Sequence, residues 1–253
     1  MSRARAALPA LPALFALALA GCATAPAASW RALPADDPRP ARLTAGLRAL
    51  AAERHALRAS ARVEAAGPEG SGFSRQLLLV ERPARLRVEV LGGLLEQRVL
   101  VLATDGERYE LYRAEQAGFE SGEVHPGVLD EVAGLPLTPE AAASLLLATP
   151  RAPEDAPVAR VDETGALSLA WPDQTLDFDA QGRLVALAFH PGARDVLRAR
   201  WSEWRESAAG GAFPHRLELE RFEPEAHWRL DYRHVELNPA LAPELFRLRG
   251  DGR

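Results

Sequence analysis

The chain has 253 residues, 47% of them apolar, and a formal net charge of −5. Its 30 basic residues are all arginine and are dispersed, so there is no basic stripe of the kind that binds nucleic acid, and nucleic acid is set aside as a partner. One cysteine, at position 22, excludes an internal disulfide.

Arg3 and Arg5 form a short positive segment, and Ala13 to Ala20 form an apolar one, shortened by Pro9 and Pro12. Residues 1–21 read as a secretory signal peptide, too short to remain as a membrane helix. The stretch Leu19-Ala20-Gly21-Cys22 resembles the lipobox of bacterial lipoproteins. The resemblance implies a diacylglycerol on the Cys22 thiol, cleavage before Cys22, and acylation of the new amino group. An unmodified lone thiol would be a liability in an oxidising periplasm. Cleavage removes 21 of 253 residues and leaves 232; losing Arg3 and Arg5 takes the charge from −5 to −7. Ala23 stands where an aspartate holds enterobacterial lipoproteins at the inner membrane, which points to the outer membrane, facing the periplasm. One acyl chain binds a membrane marginally, whereas three anchor stably.

Residues 22–41, with Pro26, Pro34, Pro38 and Pro40, read as an Ala/Pro-rich tether, and residues 42–253 as the folded body. Leu43, Leu47 and Leu50 recur at helical spacing and predict an amphipathic helix over Ala41 to His55. The period then becomes two. Leu57, Ala59, Ala61, Val63 and Ala65 alternate with polar residues, which predicts a strand with one dry face. A loop over Gly67 to Gly72 leads to a strand over Phe73 to Glu81, and Leu86, Val88 and Val90 mark a third. Val99 to Ala103 and Tyr109 to Tyr112 flank the turn signal Asp105-Gly106.

Two short helices are predicted next: one from Pro126 to Val132, stopped by Gly134, and one capped by Thr138 and running to Ala148. Strands return at Val158–Asp162, Leu167–Trp171, Thr175–Asp179, Leu184–Phe189, Val196–Trp204, Arg216–Phe222 and His227–Leu237. In the last, Trp228, Leu230 and Tyr232 hold the even phase but Val235 and Leu237 the odd one. A continuous dry face then requires a bulge at Arg233-His234.

No grouping of catalytic residues stands out. The histidines at 55, 125, 190, 215, 227 and 234 form no close pair, and an unbroken pleat would put His227 and His234 on opposite faces. Gly67, Gly70 and Gly72 join two strands rather than opening a helix, so they make a turn and not a phosphate loop. Asp177 and Asp179 share one strand face and read as its wet side. The expectation is a protein that is not an enzyme, with no metal and no cofactor.

The order of lipobox, tether, helix, strands, two short helices and further strands resembles the family of the lipoprotein receptor LolB and its periplasmic counterpart LolA. Ser60-Ala61-Arg62, Leu86-Arg87-Val88-Glu89-Val90-Leu91-Gly92, Asp105-Gly106-Glu107-Arg108-Tyr109 and Gly134-Leu135-Pro136-Leu137 carry the likeness. The segment from Val196 to His227 is longer and more charged than that family suggests. The resemblance implies a mainly β fold: a half-open antiparallel β-barrel, or strongly curved sheet, with an N-terminal helix and short helices covering the mouth. It implies an apolar cavity, for which Leu86, Val88, Val90, Leu145, Leu146, Trp228 and Leu230 are the candidate lining, and a protruding apolar loop at Leu91, Leu94 and Leu95. The implied role is that of a monomeric, lipid-anchored acceptor. It would bind acyl chains, take lipoproteins from a LolA-like periplasmic carrier and insert them in the outer membrane. Two alternatives remain open: an envelope assembly or structural lipoprotein using the fold as a protein-interaction platform, and apolar faces that simply pack a filled core.

Overall fold

The computed structural model describes residues 29–68, 70–92, 96–116, 118–207 and 211–248. Alternating apolar and polar residues dominate the chain, and they form a single 14-stranded sheet. The first half contributes β1 (Arg31–Ala32), β2 (Ala56–Gly67), β3 (Gly70–Glu81), β4 (Arg85–Gly92), β5 (Gln97–Thr104), β6 (Arg108–Arg113) and β7 (Gly118–Glu123). The second contributes β8 (Val158–Val161), β9 (Leu167–Ala170), β10 (Gln174–Phe178), β11 (Leu184–Phe189), β12 (Leu197–Glu206), β13 (Ala212–Phe222) and β14 (Glu225–Leu237).

The spatial order is β1-β8-β9-β10-β11-β12-β13-β14-β2-β3-β4-β5-β6-β7. Two up-and-down meanders, β2 to β7 and β8 to β14, are thus joined where β14 pairs antiparallel with β2. The ends of the order, β1 and β7, each have a partner on one side only, so the curved sheet is not closed into a barrel. Inward residues of both meanders and the helices share one core, which includes Leu57, Leu78, Leu111, Leu187, Leu197, Phe213 and Leu217.

Helix α1 (Arg39–Glu53) buries Leu47 in that core, with Leu43 packed against it. Between the meanders lie α2 (Val128–Ala133) and α3 (Pro139–Leu146). Helix α2 ends on Gly134 at φ 67°, a left-handed position that suits glycine, with the Gly134 amide donating to the Asp130 carbonyl at 2.8 Å. Helix α3 begins with the Thr138 hydroxyl accepting from the Ala141 amide at 3.1 Å. None of the helices among the described residues is long and apolar enough to cross a membrane.

The bulge in the last strand is present. Tyr232 pairs with Ala61 and His234 with Ser60, so Arg233 is the extra residue. Beyond it Val235 opposes Ala59 and Leu237 opposes Leu57, and the dry face continues. The bulge also corrects the placement of the histidines. His227 opposes Ala66 and His234 opposes Ser60, both on the outer face of β2. They share a face but stand roughly 20 Å apart at ~3.4 Å per residue.

Other expectations shift at their margins. The turn between β2 and β3 is far shorter than Gly67 to Gly72, since those strands pair out to Gly67 and Gly70. Arg31 and Ala32, expected in the tether, pair with Val161 and Arg160 of β8. Leu91 is paired in β4, against Arg75 and Arg98, rather than lying in a loop. Strand β7 was not expected at all, because Gly118-Phe119-Glu120-Ser121-Gly122-Glu123 has no apolar alternation. It is held by its ladder with β6, and Gly122 sits where an added Cβ would come within 2.7 Å of the Tyr109 ring.

Candidate functional site

Direct cross-strand partners point to the same face of a sheet. On the inner face of the β2–β3 hairpin, Leu57 opposes Val80 and Ala59 opposes Leu78, and these four are buried. Further along, Val63 opposes Ser74, Ala65 opposes Gly72 and Gly67 opposes Gly70. The inner wall therefore changes from bulky to small along a single hairpin. Where the side chains shrink, the concave face is left unfilled.

The resulting cavity has a volume of about 530 Å³, within the usual span for a small-molecule site. Its walls are β2, β3, β4 and β5 on one side (Val63, Leu78, Leu86, Val88, Val90, Leu100, Leu102) and β13 and β14 on the other (Leu217, Leu219, Trp228, Leu230). Its roof is Leu129, Val132 and Ala133 of α2, Leu135 and Leu137 of the connection, and Ala142, Leu145 and Leu146 of α3. Helix α1 supplies no lining residue. The polar side chains on the wall are Ser71, Ser74 and Gln76; among the described residues, none in the lining is charged. Such a lining offers a ligand chiefly apolar area.

All seven residues expected in the lining, Leu86, Val88, Val90, Leu145, Leu146, Trp228 and Leu230, are on these walls or in the roof. Val88, Leu146 and Trp228 pack against the core and, where they line the cavity, are only partly buried. Leu145 faces the cavity too but is buried. Leu19, Ala20, Gly21, Cys22, Leu94 and Leu95 lie outside the described residues. Leu91 is on the outer face of β4, away from the cavity.

What the sequence did not reveal is how the roof is fastened. Arg221 of β13 donates from Nη1 to Asp130 Oδ1 at 2.6 Å and to the Gly134 carbonyl at 2.7 Å, clasping the end of α2. Arg82, just past β3, donates to Ser144 Oγ at 3.3 Å, to the Thr149 carbonyl at 2.9 Å and to the Thr149 hydroxyl, clasping the end of α3. Burial pushes the Arg82 guanidinium below its ordinary value, but it remains charged. From below, Trp201 Nε1 donates to the Leu145 carbonyl at 3.2 Å, and the Tyr232 hydroxyl donates to the Leu146 carbonyl at 3.4 Å. Burial alone drives the Tyr232 phenol far above its usual value, so it stays a donor. These partners engage carbonyls at and beyond the ends of α2 and α3 beneath the apolar roof; the Leu145 carbonyl also accepts from the Ala148 amide at 3.0 Å.

Polar groups elsewhere are engaged separately. Asp179 accepts from the Gln181 and Arg183 amides and pairs with Arg183 Nε at 2.7 Å, closing a turn. Asp177 points outward from β10; burial raises its carboxyl, against the Ser168 hydrogen bond and the Arg198 and Arg200 charges. Burial opposes ionisation of Glu89 on the outer face of β4, yet Arg98 Nε at 2.6 Å and Arg87 Nε at 2.7 Å outweigh it and hold the carboxyl below its ordinary value. Among the described residues no group of three or more histidine, cysteine, aspartate or glutamate side chains is placed to hold a metal.

Solved proteins share this fold. A LolA superfamily protein from Nitrosomonas europaea superimposes with a TM-score of 0.53 at 13% identity, covering 81% of this chain and 97% of that one. The fold is LolA-like. A domain described as an outer membrane lipoprotein-sorting protein from Vibrio parahaemolyticus shares this LolA-type fold at a TM-score of 0.53 and 8% identity, over 81% of this chain and 94% of that one. So does a DUF1329 family protein from Desulfovibrio piger, at 0.53 and 8%, over 83% and 98%. At these identities the likeness to LolA-type proteins is one of fold. No protein-family model and no curated protein matches the sequence.

Proposed function

We propose that this chain is a non-enzymatic, lipid-anchored protein of the cell envelope that holds acyl chains in the cavity and accepts lipoproteins for the outer membrane. The observation that carries the reading is the uncharged, apolar cavity of about 530 Å³ beneath α2 and α3. Burying one methylene is worth about 0.8 kcal/mol, so ten buried methylenes give about 8 kcal/mol before the cost of ordering the ligand. That is the scale of micromolar binding. Transfer from a carrier then needs only a tighter cavity in the acceptor, with no nucleotide and no catalytic group. The lipobox at Leu19 to Cys22 supports the anchor, and Ala23 supports the outer membrane. The likeness in fold to the Vibrio lipoprotein-sorting domain supports the cargo class.

A second reading, a protein-interaction platform, is favoured by the outer face. Leu77, Glu89, Val101, Tyr112 and Phe119 are successive cross-strand partners there, and Leu77 and Phe119 are exposed. Native mass spectrometry of the domain purified without its lipid, followed by vesicle delivery of an acylated lipoprotein, separates the two. Bound lipid or acyl peptide together with delivery supports the acceptor. A ligand-free mass that binds neither fatty acid nor acyl peptide overturns it. In the acceptor, Leu94→Glu or Leu95→Glu leaves the melting temperature unchanged and impairs delivery.

A further inference from the structure

The described chain begins at the far edge of the sheet, beside β8. Ser29 donates its hydroxyl to Glu163 at 2.6 Å, and the Leu33 amide donates to the Ala159 carbonyl at 3.0 Å. Between these two fastenings, β1 pairs Arg31 with Val161 and Ala32 with Arg160. This edge carries two of the exposed large apolar side chains, Trp30 at 41% and Val158 at 63%. In an antiparallel ladder Trp30 and Ala32 share the outer face with Val158 and Arg160. The side chains of Arg31 and Arg160 make no hydrogen bond or ion pair with the described residues, in a protein whose other arginines are mostly paired.

We propose that this β1–β8 edge lies against the lipid surface, with Trp30 and Val158 at the headgroup level and Arg160 on anionic headgroups. The inference rests on Cys22 being the lipid anchor. Ser29 lies seven positions after Cys22, a span of at most about 25 Å when fully extended. A domain of this length is about 45 Å across. The anchor therefore cannot reach around the body, and the membrane lies within about 25 Å of the edge that holds Ser29. Tryptophan with an apolar body and a polar tip favours the interface. The unpaired Arg160 on the same face is drawn to a surface of anionic lipids. A β edge with these side chains exposed to water would otherwise be a pairing hazard.

The test uses the full, acylated chain in vesicles of phosphatidylethanolamine and phosphatidylglycerol. With Cys22 acylated, an introduced cysteine is the single free thiol, so Val158→Cys and, as a control, Arg233→Cys on β14 can each carry one environment-sensitive fluorophore. Lipid-borne quenchers are expected to quench the probe at 158 at least twofold more than the probe at 233. Replacing Trp30 by alanine and Arg160 by glutamate in the Val158→Cys chain should reduce that difference. Equal quenching at both positions, in a chain whose mass carries the acyl groups, overturns the membrane-facing edge and leaves the anchor standing. A chain whose mass carries none overturns the anchor and this proposal with it.

Discussion

Filling the cavity from its own wall separates acyl binding from fold integrity, and Gly72 is the position to use. It lies on the inner face of β3 opposite Ala65, and a Cβ built there meets no atom within 4 Å. A leucine at 72 adds four carbons. At roughly the 30 Å³ that one water occupies, they displace about 120 Å³ of the 530 Å³ available. If they exclude four ligand methylenes at ~0.8 kcal/mol each, binding weakens by about 3 kcal/mol, roughly 200-fold. Stability should hold or rise, since glycine weakens a strand interior and cavity filling commonly adds ~0.5–2 kcal/mol. The assay is titration with a fluorescent fatty acid beside a thermal melt, with Leu78→Ala as the contrasting core truncation, expected to cost ~2–5 kcal/mol. Gly72→Leu binding the probe as tightly as the parent would refute the assignment of this cavity as the acyl site. A melt lowered by several degrees would mean that the wall is packed rather than open.

Changing Cys22 to Ser should leave an uncleaved precursor or a mislocalised protein; a mature, detergent-requiring form of that variant would remove the lipobox reading. Arg221→Ala strips Asp130 and the Gly134 carbonyl of their shared donor, and hydrogen bonds to charged groups contribute ~1.5–3 kcal/mol. Hydrogen exchange in residues 128–135 should quicken while β2 and β14 stay protected; unchanged exchange would mean that the clasp does not hold the roof. Glu89→Gln should lower the melting temperature at neutral pH, because it breaks the pairs with Arg87 and Arg98. Since the Glu89 carboxyl is held below its ordinary value of 4.5, its contribution is complete above that pH and is lost as pH falls through the folded value. The gap between parent and variant melts should therefore close in acid, and a gap that widens there contradicts the pairing.

The sequence by itself determined those features that local periodicity encodes. Alternation marked β2, β4 and β14, and the change of parity between Tyr232 and Val235 located the bulge, because a dry face leaves no other way to count. Thr138 and Gly134 marked helix ends by side-chain capping and by left-handed backbone, both local effects. The inward residues Leu86, Val88 and Val90 followed from the same parity, and Leu145 and Leu146 from a helix apolar beyond one face.

Only the tertiary structure decided what those faces enclose. Nothing local distinguishes a filled barrel from a hollow one. The difference lies in Ala65 meeting Gly72 and Val63 meeting Ser74 across a ladder, under a roof more than fifty residues further along. Strand β7 has no periodicity of its own and exists through its hydrogen bonds to β6. The joining of β14 to β2 and of β1 to β8 spans well over a hundred residues, beyond the reach of any window. The arginine clasps bridge 91 residues at Asp130 and 62 at Ser144. An arginine's reach and its five donors read the same in solvent as beneath a helix end, so its partner is set by which carbonyls the packed chain leaves without one.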